Sequence, residues 1–213
     1  MSDRGLWLDP THREDLAAFT TRARGVDEAA VVRLRERPGG LVAAWVSTGF
    51  DVLASRTVGG RVRPADLSVA ADALLAGLAA MTPDGYVDPG FAMDSAWRGA
   101  LPPETGFVHL DDVPAREVFA LAQRGTALAR EHTGAHGPPT SLLDQDVVEV
   151  AAGEQRVGIP MRCVFALTAM GFFPDGADGD EVVRVRTTSA WLRIDARFGT
   201  VYRRRGDPAV VLH

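Results

Sequence analysis

Near each end of the chain, aliphatic residues alternate with arginines. From Val31 to Arg37, Val32 and Leu34 fall on one side of an extended backbone and Arg33, Arg35 and Arg37 on the other. The run Val182-Val183-Arg184-Val185-Arg186 repeats the pattern, with Arg184 and Arg186 on a common side. Successive strand residues point to opposite faces, so a two-residue period describes a strand with one face in a core and the other in water. A helix would spread the same arginines around its circumference and bury no continuous stripe.

Turn chemistry continues each pattern into a meander. Pro38-Gly39-Gly40 separates 31–37 from a second strand over 41–47, and a third over 50–58 is closed by Gly59-Gly60. At the other end, strands are expected over 181–188, 189–196 and 200–205, the last two joined at Phe198-Gly199. Residues 147–151 and 156–159, around Gly153-Glu154, read as a short hairpin.

Helices fill the remainder. Asp9-Pro10 caps and opens one over 10–24, stopped by Gly25. Ser68 is expected to cap a second over 69–81, Ala- and Leu-rich with Asp72 as its one charge, the composition of a covered helix. Asp112-Val113-Pro114 starts a third, with Val118, Phe119, Leu121, Ala122 and Leu128 as its inner stripe, and Pro160 opens a fourth to about Met170. Between them, residues 82–112 hold repeated breakers but also Tyr86, Phe91, Met93 and Trp97, too apolar for a solvated linker.

The expected fold is therefore α+β: antiparallel β-meanders at both ends of the chain, packed against four or so helices. The run from Asp27 to Arg35 echoes that from Asp180 to Arg186. The echo suggests two similar lobes, 1–81 and 113–213, joined by the packed segment 82–112 within a single 1–213 domain.

Composition narrows the chemistry. All 23 cations are arginine, and the 213 residues include no Lys and no Asn. That excludes Schiff-base lysines, phosphate-loop lysines, N-glycosylation and any Cys-His-Asn arrangement. The one cysteine, Cys163, lies in an apolar run and reads as a buried, inert thiol suited to a reducing cytoplasm. No apolar stretch reaches the roughly 20 residues of a membrane-spanning helix, and the N-terminus lacks a signal-peptide pattern. Gly-x-Gly-x-x-Gly, Gly-x-Ser-x-Gly, His-Glu-x-x-His and Cys-x-x-Cys are all missing.

Three sets of residues remain as candidates. His132, His136 and Asp146, with Asp144 beside them, combine imidazole and carboxylate and would suit a hydrolase-type acid/base site. His109 lies a helix length, roughly 30 Å, from His132 and cannot join them through that helix. The acidic loop 175–181 lacks the spacing of a calcium loop. Arg184, Arg186, Arg193, Arg197, Arg203 and Arg205, with Trp191 and Tyr202 among them, would suit nucleic acid or another polyanion. Residues 180–213 carry seven Arg against four acids, a balance of +3 in a chain of net charge −5. Phe91, Met93 and Trp97, with the uncharged helix, would suit a self-association surface.

The leading expectation is a cytoplasmic, non-catalytic binding or interaction module, a homodimer, with no cofactor, no metal and no membrane contact. A nucleic-acid or polyanion binder is the first alternative and a hydrolase-type enzyme the second.

Overall fold

The computed structural model describes residues 4–132, 139–174 and 180–206. The chain divides into two compact units. Unit 1 comprises 1–49 and 53–101; unit 2 comprises 50–52 and 102–213. Both are mixed α+β, with antiparallel strands and few helices.

Unit 1 runs β1 (Gly5–Leu8), α1 (Arg13–Val26), β2 (Val31–Arg37), β3 (Leu41–Ser47), β4 (Leu53–Arg63), β5 (Asp66–Ala70), α2 (Ala71–Ala79) and β6 (Tyr86–Val87). β2 pairs with β5 on one side and β3 on the other, β3 pairs with β4, and β1 joins β4 to β6. Val32, Leu34, Val42, Ala44, Leu67 and Val69 form the inner face and are buried. They pack with Leu16 and Phe19 of α1 and Leu74 and Leu78 of α2, the apolar positions that three- and four-residue spacing places on one helix side. Arg33 and Arg35 project from the opposite face, as the alternation requires.

Unit 2 runs β7 (Val108–Pro114), α3 (Ala115–His132), α4 (Thr140–Leu143), β8 (Asp146–Ala152), β9 (Gln155–Pro160), α5 (Met161–Ala169), β10 (Val182–Thr187), β11 (Trp191–Ala196) and β12 (Gly199–Arg204). Its main sheet has the order β7-β10-β11-β12, and β8 and β9 form a separate hairpin. Val183, Val185, Leu192, Ile194 and Val201 are buried on the inner face. α3 packs against α5, where Gly125 of α3 comes close to Met161 and Phe165.

One arrangement recurs inside both units. In each, a strand leads directly into a helix and also pairs with the first strand of a meander. In unit 1, β5 enters α2 and pairs with β2 in the register Val31↔Ala70 and Arg33↔Ser68. In unit 2, β7 enters α3 and pairs with β10 in the register Val182↔Pro114 and Arg184↔Asp112. The same hydrogen bond closes both corners. The first helical amide, Ala71 N–H, donates to Ala30 O at 2.9 Å, and Ala115 N–H donates to Glu181 O at 2.8 Å. Val31 thus corresponds to Val182, Arg33 to Arg184, and Ser68 to Asp112. The two halves of the arrangement come in opposite chain order. Unit 1 has helix and meander first and strand and helix second; unit 2 has the reverse.

Several expected boundaries move, each for a physical reason. The helix expected over 10–24 is a short 3-10 turn, Pro10–His12, followed by α1; Asp9 does cap it, accepting from Thr11 N–H. The strand expected to stop at Gly59-Gly60 runs on to Arg63. There β4 passes from pairing with β3 (Leu41↔Gly59) to pairing with β1 (Leu8↔Gly60). A Cβ on Gly60 would stand 2.5 Å from Trp7 O, so Gly60 admits a neighbouring backbone, and the strand continues through both glycines without a turn. Ser68 is not a helix cap but a strand residue of β5, where Leu67 and Val69 alternate inward. Asp112-Val113-Pro114 ends β7 and does not begin a helix; α3 starts at Ala115. Leu128, expected inside, is 46% exposed.

The segment 82–112 is no single connection. It supplies β6, a 3-10 turn over Asp94–Ala96 and most of β7, and it crosses the boundary between the units at residues 101 and 102. Among the described residues no helix is long and apolar enough to cross a membrane.

Candidate interaction surfaces

The arginine candidates separate onto two faces of one sheet. On the outer face of unit 2, Arg184 of β10 lies between Asp112 of β7 and Asp195 of β11, and Arg186 lies opposite Arg193, itself opposite Tyr202 of β12. Arg203 is opposite Leu192 and so belongs to the inner, helix-covered face, where it reaches Asp144 at 3.3 Å. Arg205 bonds Thr187 Oγ1 and Thr188 O at 3.0 and 3.1 Å. Arg204 takes the outer-face position, opposite Trp191. A run of three arginines conceals which member faces outward. The pleat decides it, and Arg204 is the one that residue order does not single out.

Much of the outer-face charge is neutralised locally. Asp195, 17% exposed, holds Arg186 on one oxygen and Arg193 at 2.8 Å on the other, and also accepts from Thr200 Oγ1 at 2.8 Å. The Arg193 guanidinium lies 5.5 Å from the Phe107 ring centroid and 5.6 Å from that of Tyr202, a double cation–π contact. Arg197 pairs with Glu181 at 3.2 Å. Arg184 and Arg204 are exposed and make no ion pair among the described residues. An open pocket of about 530 Å³ beside Arg184 is lined by Asp180, Glu181, Val182, Asp195, Ala196 and Arg197, so it offers charges of both signs.

Folding removes the charge asymmetry read from sequence. Residues 50–52 and 102–213 together hold 12 Arg against 16 Asp and Glu, a balance of −4. The rest of the chain holds 11 against 12, a balance of −1. The unit that contains the arginine-rich C-terminal strands is the more acidic one. β7 and the segment before β8 bring carboxylates from distant sequence to the arginines.

The expected His/Asp site does not come together within the described residues. His136 and the side chain of His132 lie outside them, as does most of the acidic loop 175–181. Asp146 is exposed at the start of β8. Asp144, nearby in sequence, is engaged by an arginine instead, accepting from Arg162 Nη2 at 2.5 Å and Nε at 3.1 Å. Arg162 sits on α5 with an 8% exposed side chain, and its Nη1 donates to Phe50 O at 2.7 Å. Desolvating a guanidinium is costly without such partners. His109, 2.9 Å from Asp112, bonds within the bulged edge strand β7. Among the described residues, no three His, Cys, Asp or Glu side chains gather as metal ligands. Burial pushes the Cys163 thiol up to about 12, as expected of an inert core cysteine.

The apolar trio forms a surface in unit 1. Phe91 is 86% exposed, Met93 is exposed, and Trp97 is half-buried with its ring 5.6 Å from the Arg33 guanidinium. Arg33 forks onto Asp66 at 2.7 Å through Nε and Nη2. That hydrogen bonding raises its pKa despite partial burial, and the charges of Asp66 and Asp94 add to the effect. The expected helix surface is partly covered, since α1 packs on α2 and Arg13 Nε donates to Leu78 O at 2.9 Å near the C-terminus of α2.

Comparison with known proteins assigns a family and a fold. Residues 102–208 match the model of a domain of unknown function, DUF8185. The chain belongs to the DUF8185 family. Residues 1–99 match a second domain of unknown function, DUF8010, so the two matches meet where the structural units meet. No curated protein matches the chain in sequence. Solved structures similar to this DUF8185 member include the DNA polymerase sliding clamp of Bacillus subtilis, with a TM-score of 0.60 and 12% identity over 100% of this chain and 68% of that one. The DnaN sliding clamp (DNA polymerase III subunit beta) of Bartonella birtlesii gives 0.55 and 15%, over 97% of this chain and 65% of that one. Caulobacter crescentus pol III beta gives 0.56 and 12%, over 97% and 66%. The chain thus spans about two thirds of the length of these clamps, and identities this low establish the fold alone.

Proposed function

We infer that this chain is a non-catalytic, cytoplasmic interaction module that self-associates. The observation that carries this reading is the likeness of the entire chain to sliding clamps, with two α+β units that repeat one internal arrangement. The exposed Phe91 and Met93, beside Trp97, supply an apolar patch of the kind association surfaces use. Sedimentation equilibrium across the micromolar range tests it. The mass is expected to rise with concentration toward a dimer, and Phe91→Ser is expected to lower it. A mass that stays monomeric throughout would end the reading.

A second reading, nucleic-acid binding, rests on the names of the solved neighbours, DNA polymerase sliding clamps, together with exposed Arg184 and Arg204. Arg186, Arg193 and Arg197 would contribute from the same side of unit 2; Arg203 and Arg205 would act only from the other face. With unit 2 at −4, binding is expected to be weak and to vanish as salt rises. Fluorescence anisotropy with labelled single- and double-stranded oligonucleotides should show a salt-dependent increase that Arg184→Ala/Arg204→Ala removes. No increase at low salt would exclude it.

A further inference from the structure

The outward edge of β5 is occupied by a piece of its own chain. Met93 N–H donates to Ser68 O at 2.7 Å, and Asp94 Oδ1 accepts from Ser68 N–H at 2.7 Å. Ser68 is the middle outward-facing residue of the strand, since Ala71 and its alternates bond inward to β2. Met93 and Asp94 therefore fill both backbone positions that an added strand would use. Little else secures this cap. Residues 91–96 are exposed, and Trp97 leans on Arg33. On either side of Ser68, the outward N–H and C=O of Asp66 and the N–H of Ala70 remain open among the described residues, whereas the Ala70 C=O, at the N-cap of α2, accepts the first bond of that helix.

We propose that the β5 edge is a homodimerisation site and that residues 93–97 are its displaceable cap. The strand it takes is β5 of a second copy, antiparallel about a twofold axis with Ser68 opposite its own counterpart. Three features favour that occupant. Ser68 and Ala70 put no bulk beside the edge. In this register Asp66 of one copy meets Ala70 of the other, so no like charges are opposed, and each Asp66 is already held by Arg33. The exchange of bonds is also nearly balanced. The cap gives each copy two backbone-edge hydrogen bonds, four for two copies. The paired edge offers two between the Ser68 residues and one from each Ala70 N–H to the opposing Asp66 O, also four, because the Ala70 C=O is held by α2. A near-even competition makes the edge responsive to small changes in the cap. In unit 2 the corresponding amide is engaged from within its own strand. Asp112 N–H is taken at 2.8 Å by Asp111 Oδ1, the neighbouring side chain, on a strand that is also bulged.

This proposal rests on the self-association reading but moves the contact from the apolar patch to the β5 edge beneath it, so that loss of Trp97 tightens association here, whereas it would weaken a contact made by the patch itself. The test compares wild type, the double variant Asp94→Ala/Trp97→Ala, and Asp94→Asn alone, the last keeping an acceptor oxygen for Ser68. Sedimentation equilibrium should show at least tenfold tighter association for the double variant and little change for Asp94→Asn. Ser68→Cys in the double variant should form a disulfide-linked dimer on oxidation, because Cys163 is buried and does not compete. Amide exchange at residue 68 should be fast in dilute double variant and slow again when concentrated. Unchanged mass in the double variant, or a tighter dimer without the residue-68 cross-link, overturns the edge proposal. The two readings separate cleanly. A monomeric wild type with an associating double variant defeats self-association of the native chain and leaves the capped edge standing. Wild type and double variant that associate equally, uncross-linked at 68, do the opposite.

Discussion

Units 1 and 2 solve the same packing problem with the same parts, but they deploy their charged residues differently. Each places an arginine on the inner, helix-facing side of its sheet. In unit 1, Arg56 reaches Asp15 of α1 at 2.6 Å, a pair at the margin with the carboxylate 42% exposed. In unit 2, Asp144 serves two arginines, Arg203 at the rim and Arg162 within the core. On the outer side, Arg33 is neutralised by one carboxylate on the adjoining strand, whereas Arg186 and Arg193 share Asp195. A common backbone plan evidently fixes where side chains point and leaves open which of them must be paired.

The largest expected effect comes from removing the shared carboxylate. Asp144→Ala leaves the buried Arg162 guanidinium only Phe50 O and the exposed Asp51 carboxylate 3.8 Å away, and should cost about 3 kcal/mol in urea unfolding. Asp15→Ala, its unit 1 counterpart in role, should cost about 1 kcal/mol or less because the Arg56 side chain there is 20% exposed against 8% for Arg162 and keeps access to water. Equal costs would break the contrast between a core and a marginal ion pair. Next come the helix glycines. Gly77→Ala should gain helix propensity, yet its Cβ would collide with the backbone carbonyl of Asp88, so a loss of about 1–3 kcal/mol is expected. The Cβ of Gly125→Ala would meet the flexible end of Met161 at 2.8 Å, which can yield, so thermal unfolding should move by about 1 kcal/mol or less. The smallest effect is at Asp9, whose hydrogen bonds from Thr11 hold its carboxyl below the ordinary value of 3.8. A depressed folded-state pKa stabilises above the unfolded value and is lost as pH falls through the folded one. Asp9→Ala should therefore be slightly less stable than wild type at neutral pH, and the two should converge in strong acid. A difference that widens in acid would contradict the cap.

Strands that alternate cleanly are legible in the sequence. β2 and β3 have the expected ends, and the hairpin β8–β9, the terminal meander and the echo between Asp27 and Asp180 are all visible in residue order. The departures cluster where strand passes directly into helix. β5 and β7 both carry residues that look like helix starts, Ser68 and Asp112-Val113-Pro114, because a cap and a strand end favour the same polar residues and proline. The four-residue β1 is too short to show a period. The charge pattern misleads for a different reason: a count along the chain cannot see that Asp112 and Asp144, well before residue 180, are the neighbours of Arg184 and Arg203. Nothing in the sequence marks Met93 and Asp94 as partners of Ser68, since one bond is made by backbone alone and the other joins the Asp94 carboxylate to an amide 26 positions away. Phe91, Met93 and Trp97 stand out only as apolar residues in a segment too polar to be core.

The opposite chain order of the two halves has a kinetic consequence. The corner bond of unit 1 joins Ala30 and Ala71, 41 positions apart; that of unit 2 joins Ala115 and Glu181, 66 apart. Loop-closure entropy alone makes the second about 0.4 kcal/mol harder to form. More telling, α3, the β8–β9 hairpin and α5 must all be traversed before β10 can find β7. Unit 1 zips from neighbours, whereas unit 2 waits for its last strands. During synthesis the N-terminal corner can close while the ribosome still holds the residues that complete the C-terminal one.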